Sequence, residues 1–327
     1  MDLRSNFRRE ILDNGVTLLF EKRDFPIASV SIASKIGAIY ETENEKGLTH
    51  FMEHLLLKGT KNKEGIKFIK ELEEAGGEFN AFTSKDLVKV WFKSSDNFVD
   101  RGLDILIDIV KNSLFRKEDL EKERKIIFQE IDMINDSPEE YSLEKIESTL
   151  YCEPFSLPLI GDKKNLKKFG RKDLLKKYEE VFSPENLIVC IVGNYSFESL
   201  RDKIKKSFKK NPQLKKTYPK IEKKISQISE KRKGVDQSRL LFSFYSPFSD
   251  DKRIFSLNVL YCILNGGLSS RLYTKFRYKE AIVYESGGGV ISSQDYSFTY
   301  FEFGCSEKKS PELKGAFLKN LKRFQLI

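Results

Sequence analysis

Apolar positions along this chain recur at two spacings, and the switches between them mark out its elements. Alternation every second residue predicts a strand, because successive side chains point to opposite faces; recurrence at three and four predicts one face of a helix. Residues 8–23 read as a hairpin turned at Leu12-Asp13-Asn14-Gly15, since Asn-Gly between apolar runs supplies the positive φ angles of a tight turn. The β-branched run 27–36 predicts a strand, 47–58 a helix stopping at Gly59-Thr60, and 66–75 a helix stopping at Gly76-Gly77, glycine being well suited to a helix end. Strands at 78–83 and 87–93 follow, then helices at 98–113, 117–134 and 138–151, a basic helix at 164–182, a continuous apolar strand at 187–193 and a short helix at 197–208.

Between 209 and 234 the periodicity gives way to Lys, Pro, Ser and Gln, which predicts a basic linker. Beyond it come a strand at 238–245, a helix at 255–265 ended by Gly266-Gly267, a helical stretch at 271–279, strands at 284–292 and 297–305, and a helix at 311–324. The order helix, Gly-Gly, strand, turn, strand, helix repeats that of residues 47–113, which points to an internal duplication of topology. A length of 327 residues exceeds one ordinary core. The expected division is residues 1–208, the linker 209–234, and a second domain at 235–327.

Composition narrows the functions. The net charge of +9 comes from 58 Lys and Arg against 49 Asp and Glu, intermixed, so the excess describes a solvated exterior more than an anion-binding face. Tyr218 is the only aromatic of the basic linker, too little for base stacking, and specific nucleic-acid binding is not expected. No apolar run approaches the roughly 18 residues of a membrane span, and residues 1–9 carry no apolar signal core, so a cytoplasmic protein is expected. Cys152, Cys190, Cys262 and Cys305 show no paired spacing and are expected to be buried free thiols.

The chemistry concentrates in His50-Phe51-Met52-Glu53-His54, which holds both histidines of the chain. On a helix, positions 50, 53 and 54 share a face. Two imidazoles there can bind one zinc while the carboxylate between them holds a water, the inverted zincin arrangement H-x-x-E-H. The plain alternative is a pair of solvated or core histidines. Glu123 and Glu130, seven apart, share a face of the helix at 117–134; taken alone, such glutamates are ordinarily solvated.

These residues, together with Leu12-Asp13-Asn14-Gly15, Gly47 to Thr60, Gly76 to Thr83, Pro184-Glu185-Asn186-Leu187 and Gly193-Asn194, resemble the insulinase (pitrilysin) metallopeptidases. The resemblance covers most of the chain. It implies an α+β fold of two related domains, each a mainly antiparallel sheet with helices on one face. It implies Zn2+ held by His50, His54 and Glu130, with Glu123 orienting the site and Glu53 as general base on a zinc-held water. Asn80, Ala81 and Phe82 match the family's substrate-binding edge strand, and Arg277 and Tyr284 match its pair stabilising the tetrahedral intermediate. Peptides or unfolded segments cut inside a closed chamber are the expected substrates, with a homodimer or a partner subunit as the expected assembly. The sequence ends before a typical small subunit of the family does, so the second domain is expected to be incomplete. The alternative is a non-catalytic or partner-dependent zinc-binding subunit of a heteromeric peptidase.

Overall fold

A computed structural model describes residues 6–210, 218–234 and 237–323. Strict alternation in β3 (Ile27–Ser34) buries Ala28, Val30, Ile32 and Ser34 on one face and leaves Ser29, Ser31 and Ala33 half-buried on the other. That strand lies between β5 (Val88–Ser95) and β6 (Leu187–Gly193) and is antiparallel to both. With β1 (Phe7–Ile11), β2 (Thr17–Lys22) and β4 (Glu78–Thr83), they form a six-stranded sheet in the order β1-β2-β6-β3-β5-β4. Only the β2–β6 pairing is parallel. The expected hairpin at Leu12 to Gly15 joins β1 to β2, and β4 is the outermost strand at the other edge.

Helices cover the buried face. Helix α3 (Val99–Asn112) packs on β3 and β5 through Leu103, Leu106 and Val110, spaced at helical intervals. Helix α1 (Leu48–Leu56) packs against β4 and against α7 (Arg171–Val181), burying Leu48, Phe51, Met52, Leu55 and Leu56. Helix α2 (Gly65–Glu74) also packs on β4, and α4 (Lys117–Asp136), α6 (Lys163–Lys168) and α8 (Phe197–Ser207) are the further helices. The single helix expected at 164–182 is two. Asp162 Oδ1 accepts from the amides of Lys164 and Asn165 to start α6, and Asp173 accepts from the Gly170 amide at 2.9 Å to start α7. Two local caps outweigh one continuous pattern.

The second sheet is antiparallel, in the order β7 (Gln237–Tyr245), β9 (Ser297–Ser306), β8 (Val283–Ser292). Helix α9 (Arg253–Asn265), a π-helical turn at Tyr273–Lys279 and α10 (Ser310–Arg323) surround a core of Leu264, Phe276, Phe301, Phe303, Leu313 and Phe317. The strand order β7-β9-β8 repeats β3-β5-β4; helices α1 and α2 come between β3 and β4, as α9 and the π-helical turn come between β7 and β8. The topological duplication therefore extends to strand pairing.

Two compact units emerge: residues 1–132 with 157–219, and residues 133–156 with 220–327. These units divide the chain at other places than the expected 208 and 235. Helix α5 (Pro138–Leu150) belongs to the second unit because it packs on β7, and Tyr151 Oη donates to the Ser297 carbonyl at 3.1 Å. Residues 220–234, expected as linker, join that unit too: the Cys152 amide donates to the Glu222 carbonyl, and the Lys224 amide to the Leu150 carbonyl, both at 2.8 Å. Residues 211–217 of the expected linker lie outside the described residues. All four cysteines are free, but the expected burial holds only for Cys305: Cys152 and Cys190 are half-buried and Cys262 is exposed.

Candidate metal centre

Helix α1 begins at Gly47, whose φ of 88° is left-handed and whose absent Cβ leaves room for the Ile160 carbonyl oxygen. Its first amides are met from a distance in sequence. Glu41 Oε1 accepts from the Thr49 amide at 2.5 Å and Oε2 from the Gly47 amide at 3.2 Å. A carboxylate at a helix N-terminus satisfies amides that have no partner within the helix. This one is fully buried, and burial pushes its pKa up against the pull of Thr49, Lys46 and Lys177. Replacing Glu41 by Gln turns one acceptor into a donor facing an amide. The expected cost is about 1–3 kcal/mol, read as a lower urea midpoint at unchanged m-value.

From this anchored helix His50, Glu53 and His54 project on one side, all only partly buried. Their partners come from α4, which is fixed through Arg124: its guanidinium lies 5.2 Å from the Phe51 ring centroid and donates to the Phe169 carbonyl at 2.8 Å. Glu130 is thereby brought beside the histidines. One ligand atom from each of His50, His54 and Glu130 lies within 4.8 Å of the others, and His54 Nε2 is 3.6 Å from Glu130 Oε2. The two rings sit 4.6 Å apart, inclined at 69°.

The electrostatics favour a cation. Burial, with the charge of His54 second, pushes His50 down to about 3, so its imidazole is neutral and keeps a lone pair. Burial alone would lower His54 as well, but the hydrogen bond to Glu123 and the charges of Glu53, Glu130 and Glu123 outweigh it and raise its pKa. His54 Nδ1 lies 3.1 Å from Glu123 Oε2, which fixes the ring and aims Nε2 at Glu130. Burial acts upward on Glu123, yet the hydrogen bonds from His54 and from Lys58, whose Nζ is 2.6 Å from Oε1, prevail and hold it below the ordinary carboxylate range. Glu53 is raised, by burial first and by the charge of Glu130, against the attraction of His54.

Whether the residues fit a metal is tested by their unsatisfied atoms. His50 Nδ1 and Glu130 Oε2 are buried with no hydrogen-bond partner, a state that costs stability unless something else completes it. Two imidazoles and a carboxylate are a donor set suited to Zn2+ with a fourth position open. The residues fit.

The remaining sequence candidates are placed as follows. Asn80, Ala81 and Phe82 lie in β4, the edge strand against which α1 packs, and the Ala81 amide donates to Asn80 Oδ1 at 2.8 Å. Arg277 and Tyr284 belong to the second unit, so the first unit's metal cluster is built without them. Arg277 is exposed in the π-helical turn. Tyr284, 44% exposed, occupies a β-bulge where the β8–β9 register shifts between Val283 and Glu285. Bulges re-aim side chains, and here the ring lies against Gly304, where any Cβ would collide with it. Sequence reasoning missed Glu41, Lys58 and Arg124 as supports. Lys58 was readable, since it stands one turn beyond His54; Glu41 and Arg124 act across loops and carry no spacing signal.

An edge strand beside a helix bearing two histidines and a glutamate, with a carboxylate from a second helix, defines a protein of the inverted-zincin class. Residues 17–163 match the family described as Insulinase (Peptidase family M16), and residues 168–326 match the Peptidase M16 inactive domain. The chain belongs to the M16 insulinase family. It is 29% identical over 305 residues to an uncharacterised zinc protease of Rickettsia felis, covering 92% of this chain and 72% of that protein. It is 27% identical over 280 residues to an uncharacterised zinc protease of Bacillus subtilis, covering 85% and 68%. Its fold is that of a protease from Helicobacter pylori, with a TM-score of 0.87 at 23% identity over 97% of this chain and 80% of that one.

Proposed function

We propose that this protein is a zinc-dependent endopeptidase acting on peptides or unfolded segments within a closed chamber. The observation that carries the reading is the convergence of His50, His54 and Glu130 with Glu53 on the same helix as the two histidines. Zinc held by His50, His54 and Glu130 would supply Lewis acidity toward a peptide carbonyl and would acidify a water. Glu53, its basicity raised by burial, takes the proton from the attacking water and delivers it to the departing amine. Glu123 keeps His54 in the tautomer that presents Nε2. In this reading the substrate backbone pairs with β4 at Asn80, Ala81 and Phe82, and Arg277 and Tyr284 donate to the tetrahedral oxygen. A homodimer or a partner subunit completes the chamber.

The second reading, a non-catalytic or partner-dependent zinc-binding subunit, is favoured by the family description of residues 168–326 as an inactive domain. Metal analysis and a fluorogenic peptide assay on protein of known mass separate the two. The endopeptidase reading expects one zinc per chain and hydrolysis that a chelator abolishes and zinc restores. Zinc-loaded protein without hydrolysis would support the second reading.

A further inference from the structure

Strand β4 leaves one edge without a partner strand among the described residues. Side chains alternate along it. Phe79 and Ala81 face the helices, Phe79 meeting Phe68 of α2 edge-on at 6.3 Å, while Glu78, Asn80 and Phe82 face the opposite side. On β5 the register sets Lys93, Trp91 and Lys89 beside Glu78, Asn80 and Phe82 respectively. The two strands thus present a small floor of charged and aromatic groups.

Its two lysines differ. Lys93 Nζ lies 3.4 Å from Glu78 Oε2 and 5.2 Å from the Trp91 ring centroid, so its charge is answered. Lys89 Nζ lies 4.7 Å from the Phe82 ring centroid and 5.9 Å from that of Trp91, with no carboxylate paired to it among the described residues. Its ammonium therefore stands against the Phe82 side chain on the face of the sheet that Trp91 and Lys93 share, and its charge is also felt at Cys190 of β6. An added strand would run about 4.7–4.9 Å beyond β4, and a long acidic side chain placed next to Phe82 would reach the ammonium by folding back across that ring.

We propose that Lys89, standing over Phe82 and beside Trp91, selects an acidic side chain of the peptide at the position an added strand places next to Phe82. This rests on the endopeptidase reading and on β4 as the strand the peptide joins. At the other end of the floor Glu78 disfavours an acidic side chain and Lys93 is already paired. Glu78 and Phe82 stand four residues apart, so two peptide positions four apart have opposite charge preferences. The selection is by position, and the overall charge of +9 does not produce it.

The test uses isomeric fluorescent peptides, neutral elsewhere, carrying one Glu and one Lys four residues apart, exchanged between isomers, with the pair moved stepwise along the peptide. Equal net charge removes long-range attraction from the comparison. Anisotropy titrations use the zinc-loaded full chain with Glu53→Gln, alone and combined with Lys89→Glu or Lys89→Met. In one frame the isomer with Glu beside Phe82 should bind about fivefold more tightly, the scale of two cross-strand charge pairs. Lys89→Met, which keeps the apolar stem, should cut the preference to the part that Glu78 alone supplies, and Lys89→Glu should cut it further, to level or reversed. Equal binding in every frame, an undiminished preference for the same isomer in Lys89→Glu, or no binding of either isomer would overturn the proposal. Discriminating binding by a wild-type protein that cleaves none of the peptides would instead defeat the endopeptidase reading and leave this selection standing.

Discussion

Glu53→Gln is expected to lower peptide hydrolysis by about 10²–10⁴-fold, the usual contribution of a positioned acid–base group, while zinc content stays at the wild-type level. Glu53 lies outside the group of atoms that converges on the metal position, so its loss does not remove a ligand. Its value lies in a lone pair made more basic by burial and by Glu130. Glutamine keeps the shape and the helix and has no such basicity. Single-turnover assays with metal analysis on the same preparation check this. Full activity in the variant would remove Glu53 from the mechanism, and loss of zinc with activity would make it a ligand.

Glu130→Ala and Glu123→Gln are expected to separate into two grades. Without Glu130 only two protein donors remain, fewer than the three of a catalytic zinc site. Zinc should then be lost on desalting and hydrolysis with it. Glu123→Gln leaves all three donors and removes the carboxylate that holds His54 Nδ1 and pairs with Lys58. Zinc affinity should fall by about 10–100-fold, as for other groups that orient a ligand, and excess zinc should restore activity. Competition with a chromophoric chelator reads both affinities. Equal losses in the two variants would contradict the division of roles.

Much of the fold was legible in local pattern. β3 alternates and is buried on one face, and the Asn-Gly turn makes the hairpin it signals. Where pattern misled, a side chain acted over distance or a local cap interrupted a run. Residues 164–182 carry one helical period, but Asp162 and Asp173 each start a helix of their own. Helix α5 falls in sequence within the expected first domain, 1–208; its packing on β7 and the Tyr151–Ser297 bond place it in the second unit. Neither contact leaves a trace in local periodicity, because both join residues about 90 or more positions apart.

The site divides along the same line. Spacing alone placed His50, Glu53 and His54 on one helical face, because 3.6 residues per turn fixes that relation wherever the helix stands. Glu53 on that face is not among the converging ligand atoms, so the third donor comes from another helix. Only the packing of α4 brings Glu130 to His54, through Arg124 against Phe51 and the Phe169 carbonyl. Burial is the largest cause of the lowered His50 and raised Glu53 pKa values, with the charges of His54 and Glu130 adding to it, and a loss of water is an effect that no sequence pattern encodes. Sequence determined which groups could act together along one helix, and tertiary structure decided which groups meet it and in what dielectric.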